Sequence, residues 1–144
     1  MGQAREVMDR LTEALTTTRD LKTVADCFAE DAVFVAPDAG EIRGRERIVE
    51  YWRQFMDAMP DVGYEPLALH EDGDSAIDEG FMVGTNTGPL VAPDGERIPP
   101  TGRHIRVVGC DRATVVDGHI VEHRVYFDRM EFLGQLGLLP EPTP

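Results

Sequence analysis

The chain has 144 residues, of which 42% are hydrophobic and 28% charged, and these values are typical of one globular domain rather than of a disordered chain. Acidic residues outnumber basic ones by 27 to 14, so the formal net charge is -13 at pH 7. Such a charge repels phosphate backbones and anionic lipid surfaces. We therefore expect neither nucleic acid nor a membrane as a partner.

The sequence lacks the usual signals of export, metal binding and cofactor binding. Its first 20 residues alternate charged with apolar side chains, so we expect no signal peptide or membrane span and a cytoplasmic location. Cys27 and Cys110 lack the close partners of a metal or redox motif, so we expect no metal site and no disulfide framework. No phosphate-binding glycine loop or nucleophile elbow occurs, and we expect no cofactor.

The first half of the chain has the apolar spacing of helices. One helix is predicted near the N-terminus, and a second, short helix follows Asp20, a candidate N-cap. A short strand over 31–35 and a loop, PDAGEIRG, come next. A third helix, which Pro60 ends, carries one wide apolar stripe formed by Ile48, Tyr51, Trp52, Phe55 and Met56. The second helix is expected to place Leu21, Val24, Ala25 and Phe28 on one face.

From residue 62 onward the apolar period changes to two, which predicts strands near 62–69, 75–87, 103–116 and 119–127 in a curved antiparallel sheet. A last short helix over 130–136 is expected to end at Gly137, before a polar tail over 140–144. Helices first and strands later indicate an α+β domain, over residues 1–139, with the helices on one face of the sheet.

The turn at Asp117-Gly118 decides which side chains of the last hairpin share a face. A two-residue loop would place Asp111 opposite Arg124, whereas a three-residue loop would place it opposite His123. The second register separates apolar from charged residues, and we prefer it. It gathers Asp111 and His123 on the face that also holds Ile105, Val107, Val115, Val121, Val125 and Phe127.

A carboxylate beside an imidazole in an apolar wall is a candidate acid/base pair, because the carboxylate can orient the ring and stabilise its charged form. Asp111 and His123 are therefore candidate catalytic residues, with a structural ion pair as the alternative. Asp38 and Glu65 are possible paired carboxylates, with two solvated acids as the alternative.

Aromatic and amide side chains are candidates for a ligand pocket. Tyr51, Trp52, Phe55 and Phe81 could line such a pocket, although aromatic residues at helical spacing also suit a plain core. Asn86, in GTNTG, could donate to a ligand carbonyl or bind the backbone of its own turn.

Several segments resemble a known family. They are the helix GRERIVEYWRQFMDAMPD, the phrase PPTGR at 99–103, the hairpin VVDGHIVEHR and the closing FDRMEFLGQLG. Together they resemble the SnoaL-like polyketide cyclases of the nuclear-transport-factor-2-like superfamily, over about Val7 to Leu139. The resemblance implies a cone-shaped antiparallel or mixed sheet, with the N-terminal helices on its concave face, that encloses a hydrophobic cavity. It also implies a homodimer.

The resemblance carries specific implications for the site. Cyclases of this family close a ring by an aldol reaction without a cofactor, using an aspartate in the last strand within a stretch like His-Arg-Asp. The stretch here is His123-Arg124-Val125, so Val125 holds the place of the catalytic aspartate and is expected inside the cavity, among the residues that contact the substrate. Asp111 matches a polar pocket position of the family, and Asp128 matches a second aspartate that we interpret as a helix N-cap.

We expect a cofactor-independent cyclase or isomerase that acts on a hydrophobic, oxygenated small molecule of polyketide or terpenoid kind. In this mechanism Asp111 orients and charges His123, His123 exchanges the proton, and Tyr51, Trp52 and Phe127 hold the carbon skeleton. The alternatives are a binding protein without catalysis, an epoxide-hydrolase-like activity and a dimerisation module. A homodimer is expected in each case, because one face of such a sheet is left for a partner to cover.

Overall fold

The computed structural model describes residues 2–92 and 94–139, and the predicted polar tail lies outside them. Within these residues it has four α-helices and eight strands. In chain order they are α1 (Gln3–Thr16), α2 (Leu21–Cys27), β1 (Phe28–Ala36), β2 (Gly40–Arg43), α3 (Arg45–Ala58), β3 (Gly63–Asp72), β4 (Ser75–Thr85), β5 (Leu90–Val91), β6 (Arg97–Ile98), β7 (His104–Val116), β8 (His119–Phe127) and α4 (Arg129–Leu136).

Six strands form one curved sheet in the order β2-β1-β8-β7-β4-β3, and β5 pairs with β6 in a separate hairpin. Neighbouring strands are antiparallel except β1 and β8, which are parallel. The expected α+β class with a cone-shaped sheet is confirmed, and the sheet is mixed. The sequence predicted no strands at the positions of β2, β5 and β6, because two to four residues are too few to show an alternation.

The observed helix ends agree with the predicted ones where the capping residue is next to the helix in the sequence. The Asp20 carboxylate accepts from the Lys22 amide at the start of α2, as expected. The Asp128 carboxylate accepts from two backbone amides at the start of α4, and Gly137, with φ of 74°, ends that helix. One boundary is wrong: Phe28, expected on the second helix, begins β1, where it is fully buried.

Helix α1 is held at its N-terminus by a side chain from the sheet. Its N-cap residue, Gly2, provides no side-chain cap, and the backbone amides of Gly2 and Arg5 donate to the Glu71 carboxylate of β3. These backbone donors, that of Arg5 first, lower the pKa of Glu71. Glu71 therefore stays ionised and fixes α1 against the edge strand.

The β7–β8 hairpin has a different register from the predicted one. Val116 pairs with His119 across a two-residue turn, in which Asp117 and Gly118 have positive φ of 52° and 80°. Positive φ at both central residues is typical of a type I′ turn. The predicted three-residue loop is therefore wrong.

A β-bulge at Val121 compensates for the shorter turn. Beyond it, Asp111 lies opposite Val125 and His123 lies opposite Ala113, so the direct pairing of Asp111 with His123 is also wrong. One extra residue in a bulge turns the following side chains of the strand to the opposite face of the sheet, and one extra residue in the loop would have the same effect. Asp111 and His123 therefore still share the concave face, as diagonal neighbours, and Ile120 takes the buried place expected for Val121.

The core lies between the concave face of the sheet and the helices. The largest fully buried side chains come from all four helices and from the sheet, and include Met8, Leu11, Phe34, Ile105 and Leu136. Within the described ranges, no helix has both the length and the apolar character needed to cross a bilayer.

Candidate active site

The cone encloses a cavity of about 110 Å³ between the sheet and the helices α1, α3 and α4. Its wall is mainly apolar. Five of the predicted pocket residues line it: Tyr51, Trp52, Phe55, Val125 and Phe127. The position of Val125 in the cavity and of Asp128 at the start of α4 agrees with the assignment made from the resemblance.

Phe81 does not line the cavity, contrary to the prediction. It lies on the convex face, where the guanidinium of Arg106 is 3.6 Å from its ring centroid. Side chains along a strand alternate between its two faces, and the neighbours of Phe81, Gly80 and Met82, line the cavity. Phe81 therefore faces the other side of the sheet.

Asn86 is a structural residue and makes no contact with the cavity. Its side-chain amide donates to the carbonyls of Ala58 and Gly88, and its side-chain oxygen accepts from the backbone and hydroxyl of Thr101. All of its side-chain hydrogen-bonding groups are thus used to fix the loop after β4 against the end of α3. The expected contact of Asn86 with a ligand is not supported.

The structure brings Asp111 and His123 together. His123 Nε2 and Asp111 Oδ2 are 2.7 Å apart, and the imidazole packs against the rings of Phe34 and Trp52. The side chain of His123 is only 2% exposed, whereas that of Asp111 is 22% exposed. Nδ1 of His123 is buried and has no hydrogen-bond partner among the described residues. Asp111 is therefore the accessible member of the pair.

A buried ion pair, which the sequence did not reveal, lies beside Asp111 and His123. Arg5 Nη1 of α1 is 2.7 Å from Asp78 Oδ1 of β4, and the two side chains are 8% and 4% exposed. Asp78 lies directly opposite Asp111 on the neighbouring strand. Burial raises the pKa of Asp78, Arg5 opposes this effect and the charge of Asp111 adds to it. The cavity thus contains two carboxylates, each with its own basic partner.

The signal that could have found this pair is a charged residue at a core-facing position. Asp78 shares its face of β4 with Ala76, Gly80 and Met82, and Arg5 is buried on α1 between Ala4 and Val7. Residues 5 and 78 are far apart in the chain, so periodicity alone could not pair them.

Tyr64 of β3 is a further polar residue of the cavity, and no pattern in the sequence indicates it. Its phenol lies over Gly80 of β4, where an added Cβ would be 2.6 Å from the hydroxyl. The hydroxyl is buried and has no hydrogen-bond partner among the described residues. Burial, with the charges of Asp111 and Asp78, raises the pKa of Tyr64 far above neutral pH.

Asp38 and Glu65 lie in separate places and form no pair. Asp38 borders an outer groove of about 630 Å³ between α3, α4 and the β5–β6 hairpin. Both of its carboxylate oxygens are 3.1 Å from the Tyr51 hydroxyl, which donates to them. Burial raises the pKa of Asp38. Glu65 instead binds Arg106 on the convex face.

Metal-binding and cysteine chemistry receive no support from the described side chains. Within residues 2–92 and 94–139, no group of three or more His, Cys, Asp or Glu side chains is placed to share a metal ion. Cys27 is buried and Cys110 is exposed on the convex side, and both are free thiols in this part of the chain.

Comparison with protein families identifies the relationship. The model of the SnoaL-like domain family matches residues 8–123. The chain belongs to this family. Comparison with curated proteins gives no match.

Solved structures share the fold of this SnoaL-like domain. IdmH of Streptomyces antibioticus, a proposed polyketide cyclase, is 28% identical, with 94% of this chain and 99% of that chain covered and a TM-score of 0.76. A proposed SnoaL-like polyketide cyclase of Jannaschia sp. CCS1 is 17% identical, with coverage of 96% and 94% and a TM-score of 0.82. An epoxide hydrolase of M. tuberculosis, described as LEH-like, is 24% identical, with coverage of 94% and 90% and a TM-score of 0.68.

The last two similarities, at low identity, show the fold alone. Two of the three related structures are described as polyketide cyclases and one as an epoxide hydrolase. One fold thus supports more than one chemistry. The chain therefore has the cyclase-type fold of its family, and its reaction must be argued from the cavity.

Proposed function

We propose that this SnoaL-like domain is a cofactor-independent cyclase or isomerase, which transfers protons on a hydrophobic, oxygenated small molecule of polyketide or terpenoid kind. The observation that carries the proposal is the Asp111 carboxylate in an apolar cavity, directly opposite Val125. The resemblance assigns the family's catalytic aspartate to the position of Val125. Directly opposed residues have Cβ atoms about 4.5–5.5 Å apart. Asp111 thus supplies a carboxylate at the same level of the cone, from the neighbouring strand.

The exposures of the two side chains favour a division of roles opposite to the one expected from the sequence. His123 binds Asp111 through Nε2, and its side chain is only 2% exposed against 22% for Asp111, so the carboxylate is the group that a substrate reaches more easily. Asp111 uses Oδ2 for this hydrogen bond and keeps Oδ1 for the ligand. We therefore assign proton removal and return to Asp111, and the orientation of its carboxylate to His123.

Proton transfer can be tested before the natural substrate is known. Methyl ketones and 1,3-diketones with aromatic groups are incubated with the protein in D2O, and deuterium at the carbon next to the carbonyl is measured by mass spectrometry. The wild type should accelerate exchange, and Asp111→Asn should lower the rate by about 10²–10⁴-fold, the usual contribution of a general base. Glu122→Gln, on the opposite face of the same hairpin, is the matched control and should retain the rate. No acceleration by the wild type for any compound contradicts the proposal.

The positioning role of His123 makes a separate prediction in the same assay. His123→Phe keeps an aromatic ring against Phe34 and Trp52 but removes the hydrogen bond to Asp111. It should lower kcat by less than Asp111→Asn does and leave KM nearly unchanged, because the carboxylate remains but is less well oriented. His123→Gln, which can still donate to the carboxylate, should recover part of the loss. Equal losses in His123→Phe and Asp111→Asn would instead assign proton transfer to the imidazole.

Two other functions have specific observations in their favour. Val125 in place of the family aspartate favours a protein that binds the ligand without reaction, and saturable ligand binding without deuterium exchange would identify it. The opposed carboxylates of Asp78 and Asp111 favour epoxide hydration, because one can activate water while the Tyr64 hydroxyl donates to the ring oxygen. Diol formation from styrene oxide that is lost in Asp111→Asn would identify this reaction.

We also propose that the protein is a homodimer whose copies meet through the convex face of the sheet. Val108 and Tyr126 are exposed there, and Val108 lies opposite Phe81. An exposed apolar area in the middle of a sheet suits a second copy. Light scattering at micromolar concentration should give about twice 16.0 kDa, and Val108→Arg with Tyr126→Arg should give the monomer. A wild type that remains monomeric contradicts this proposal.

A further inference from the structure

We infer that the Tyr64 hydroxyl is the hydrogen-bond donor to the ligand oxygen in this cavity, and that the cavity takes uncharged carbonyl compounds rather than carboxylic acids. This inference rests on the proposed function, since it names the substrate class and one further contact of the same site.

The sheet is built to accommodate the phenol of Tyr64. Gly80 of β4 lies opposite Gly109 of β7, so no side chain projects into the cavity at this level of the two strands. A Cβ on Gly80 would be 2.6 Å from the Tyr64 hydroxyl and 2.6 Å from the Glu65 carbonyl oxygen. Neither contact is sterically possible, so glycine at position 80 is what allows the ring to lie across β4 toward the cavity.

The Tyr64 hydroxyl is an unused donor. It is buried, and no described residue accepts a hydrogen bond from it. A buried hydroxyl without a partner is unfavourable, and a ligand oxygen placed next to it removes this penalty. Burial, together with the neighbouring carboxylates of Asp111 and Asp78, raises the pKa of the phenol, so it keeps its proton at neutral pH.

The charges around the cavity select against anions. Asp78 and Asp111 both line it, and the guanidinium of Arg5 is already shared between Asp78 and Asp9. A carboxylate ligand would therefore approach two like charges, and none of the described residues that line the cavity is a lysine or an arginine. A neutral ketone avoids this repulsion, offers its oxygen to Tyr64 and presents an acidic C–H bond to Asp111.

Three small probes of one shape test the inference: acetophenone, ethylbenzene and benzoate. Their affinities are measured by calorimetry, and acetophenone with carbon-13 at the carbonyl reports the hydrogen bond by its NMR shift. The wild type should bind acetophenone more tightly than ethylbenzene, should bind benzoate least, and should move the carbonyl resonance downfield.

Tyr64→Phe removes only the hydroxyl. It should weaken acetophenone binding by about 2- to 10-fold, the effect of one neutral hydrogen bond, and leave ethylbenzene binding unchanged. The downfield shift should be lost. Glu122→Gln, on the convex face and outside the proposed dimer interface, should bind the probes as the wild type does, while thermal melting checks that both variants fold.

The outcomes separate this inference from the proposed function. Asp111→Asn should lose deuterium exchange but keep the carbonyl shift, since the Tyr64 donor remains. A carbonyl shift without exchange in the wild type contradicts the proposed enzyme and supports the inference. The inference is overturned if wild-type acetophenone shows no saturable binding or no downfield shift, if Tyr64→Phe keeps the shift, or if benzoate binds as tightly as acetophenone.

Discussion

Each of the two faces of the β7–β8 ladder carries a pair of polar side chains, and the two pairs have the same contact distance but different surroundings. On the convex face, Arg112 Nη2 donates to Glu122 Oε1 at 2.7 Å, with side chains 45% and 35% exposed. On the concave face, His123 and Asp111 are also 2.7 Å apart, but their exposures are 2% and 22%. Water and salt screen the first pair, whereas aromatic rings surround the imidazole of the second. Burial, and not the contact distance, therefore decides which pair can influence chemistry and stability.

The Arg5–Asp78 pair offers the strongest test of this comparison. Both side chains are nearly inaccessible, so Arg5→Ala leaves the Asp78 carboxylate buried without its cation. We expect a loss of about 3–5 kcal/mol in the free energy of unfolding, measured by urea denaturation. The double variant Arg5→Met with Asp78→Leu removes both charges and should recover most of the loss. A loss below about 1 kcal/mol in Arg5→Ala would show that water reaches the pair.

Asp38 sharpens the comparison because its hydrogen-bond partner, Tyr51, is a neutral phenol. Burial raises the pKa of Asp38 above 3.8, so the folded state holds this proton more tightly than the unfolded state does. Ionisation therefore lowers the stability as pH rises from 3.8 through the folded pKa. Asp38→Asn should have the same Tm as the wild type below that range and a higher Tm above it, because the amide has no charge to bury. Melting curves between pH 3 and pH 8 test this, and a difference that does not change with pH contradicts it.

The convex face should give the smallest effect. Glu122→Gln removes the shared partner of Arg112 and Arg124, and exposed pairs contribute only about 0.2–1 kcal/mol. We expect a loss in this range at low salt that disappears in 0.5 M NaCl, because the charges are screened. If Glu122→Gln instead lowers the free energy of unfolding as much as Arg5→Ala does, and salt does not change this loss, the convex and concave pairs do not differ in the way proposed.

The features predicted from the sequence depend on local signals. The caps at Asp20, Asp128 and Gly137 act within a few residues of the helix end, so the sequence identifies them. The shared face of Asp111 and His123 was also predicted, although for the wrong reason, because a bulge took the place of a longer loop. The bulge and the longer loop each insert one residue and turn the same side chains to the same face. A hydrophobic pattern indicates only the face, so it cannot distinguish the two.

The features that were missed depend on distant contacts. Tyr64 reaches the cavity because Gly80 has no side chain, and Arg5 meets Asp78 only when α1 lies on the sheet. Asn86 binds the backbone of its own turn at Gly88, which was the alternative to a ligand contact, but its second partner, Ala58, comes from the end of another helix and has no local signal. The division of roles between Asp111 and His123 depends on their exposed fractions, which a hydrophobic pattern does not contain.

The parallel pairing of β1 with β8 has a consequence for the order of folding. Phe34 of β1 pairs with His123 of β8 and packs against its ring. His123 lines the cavity, so this part of the cavity wall depends on a contact between residues that are far apart in the chain. Contacts between such distant residues form slowly, because a long loop must be ordered first. During synthesis, β1 leaves the ribosome well before its partner and has only β2 to pair with. The last long strand to be synthesised is therefore the one that brings His123 into place and completes the cavity.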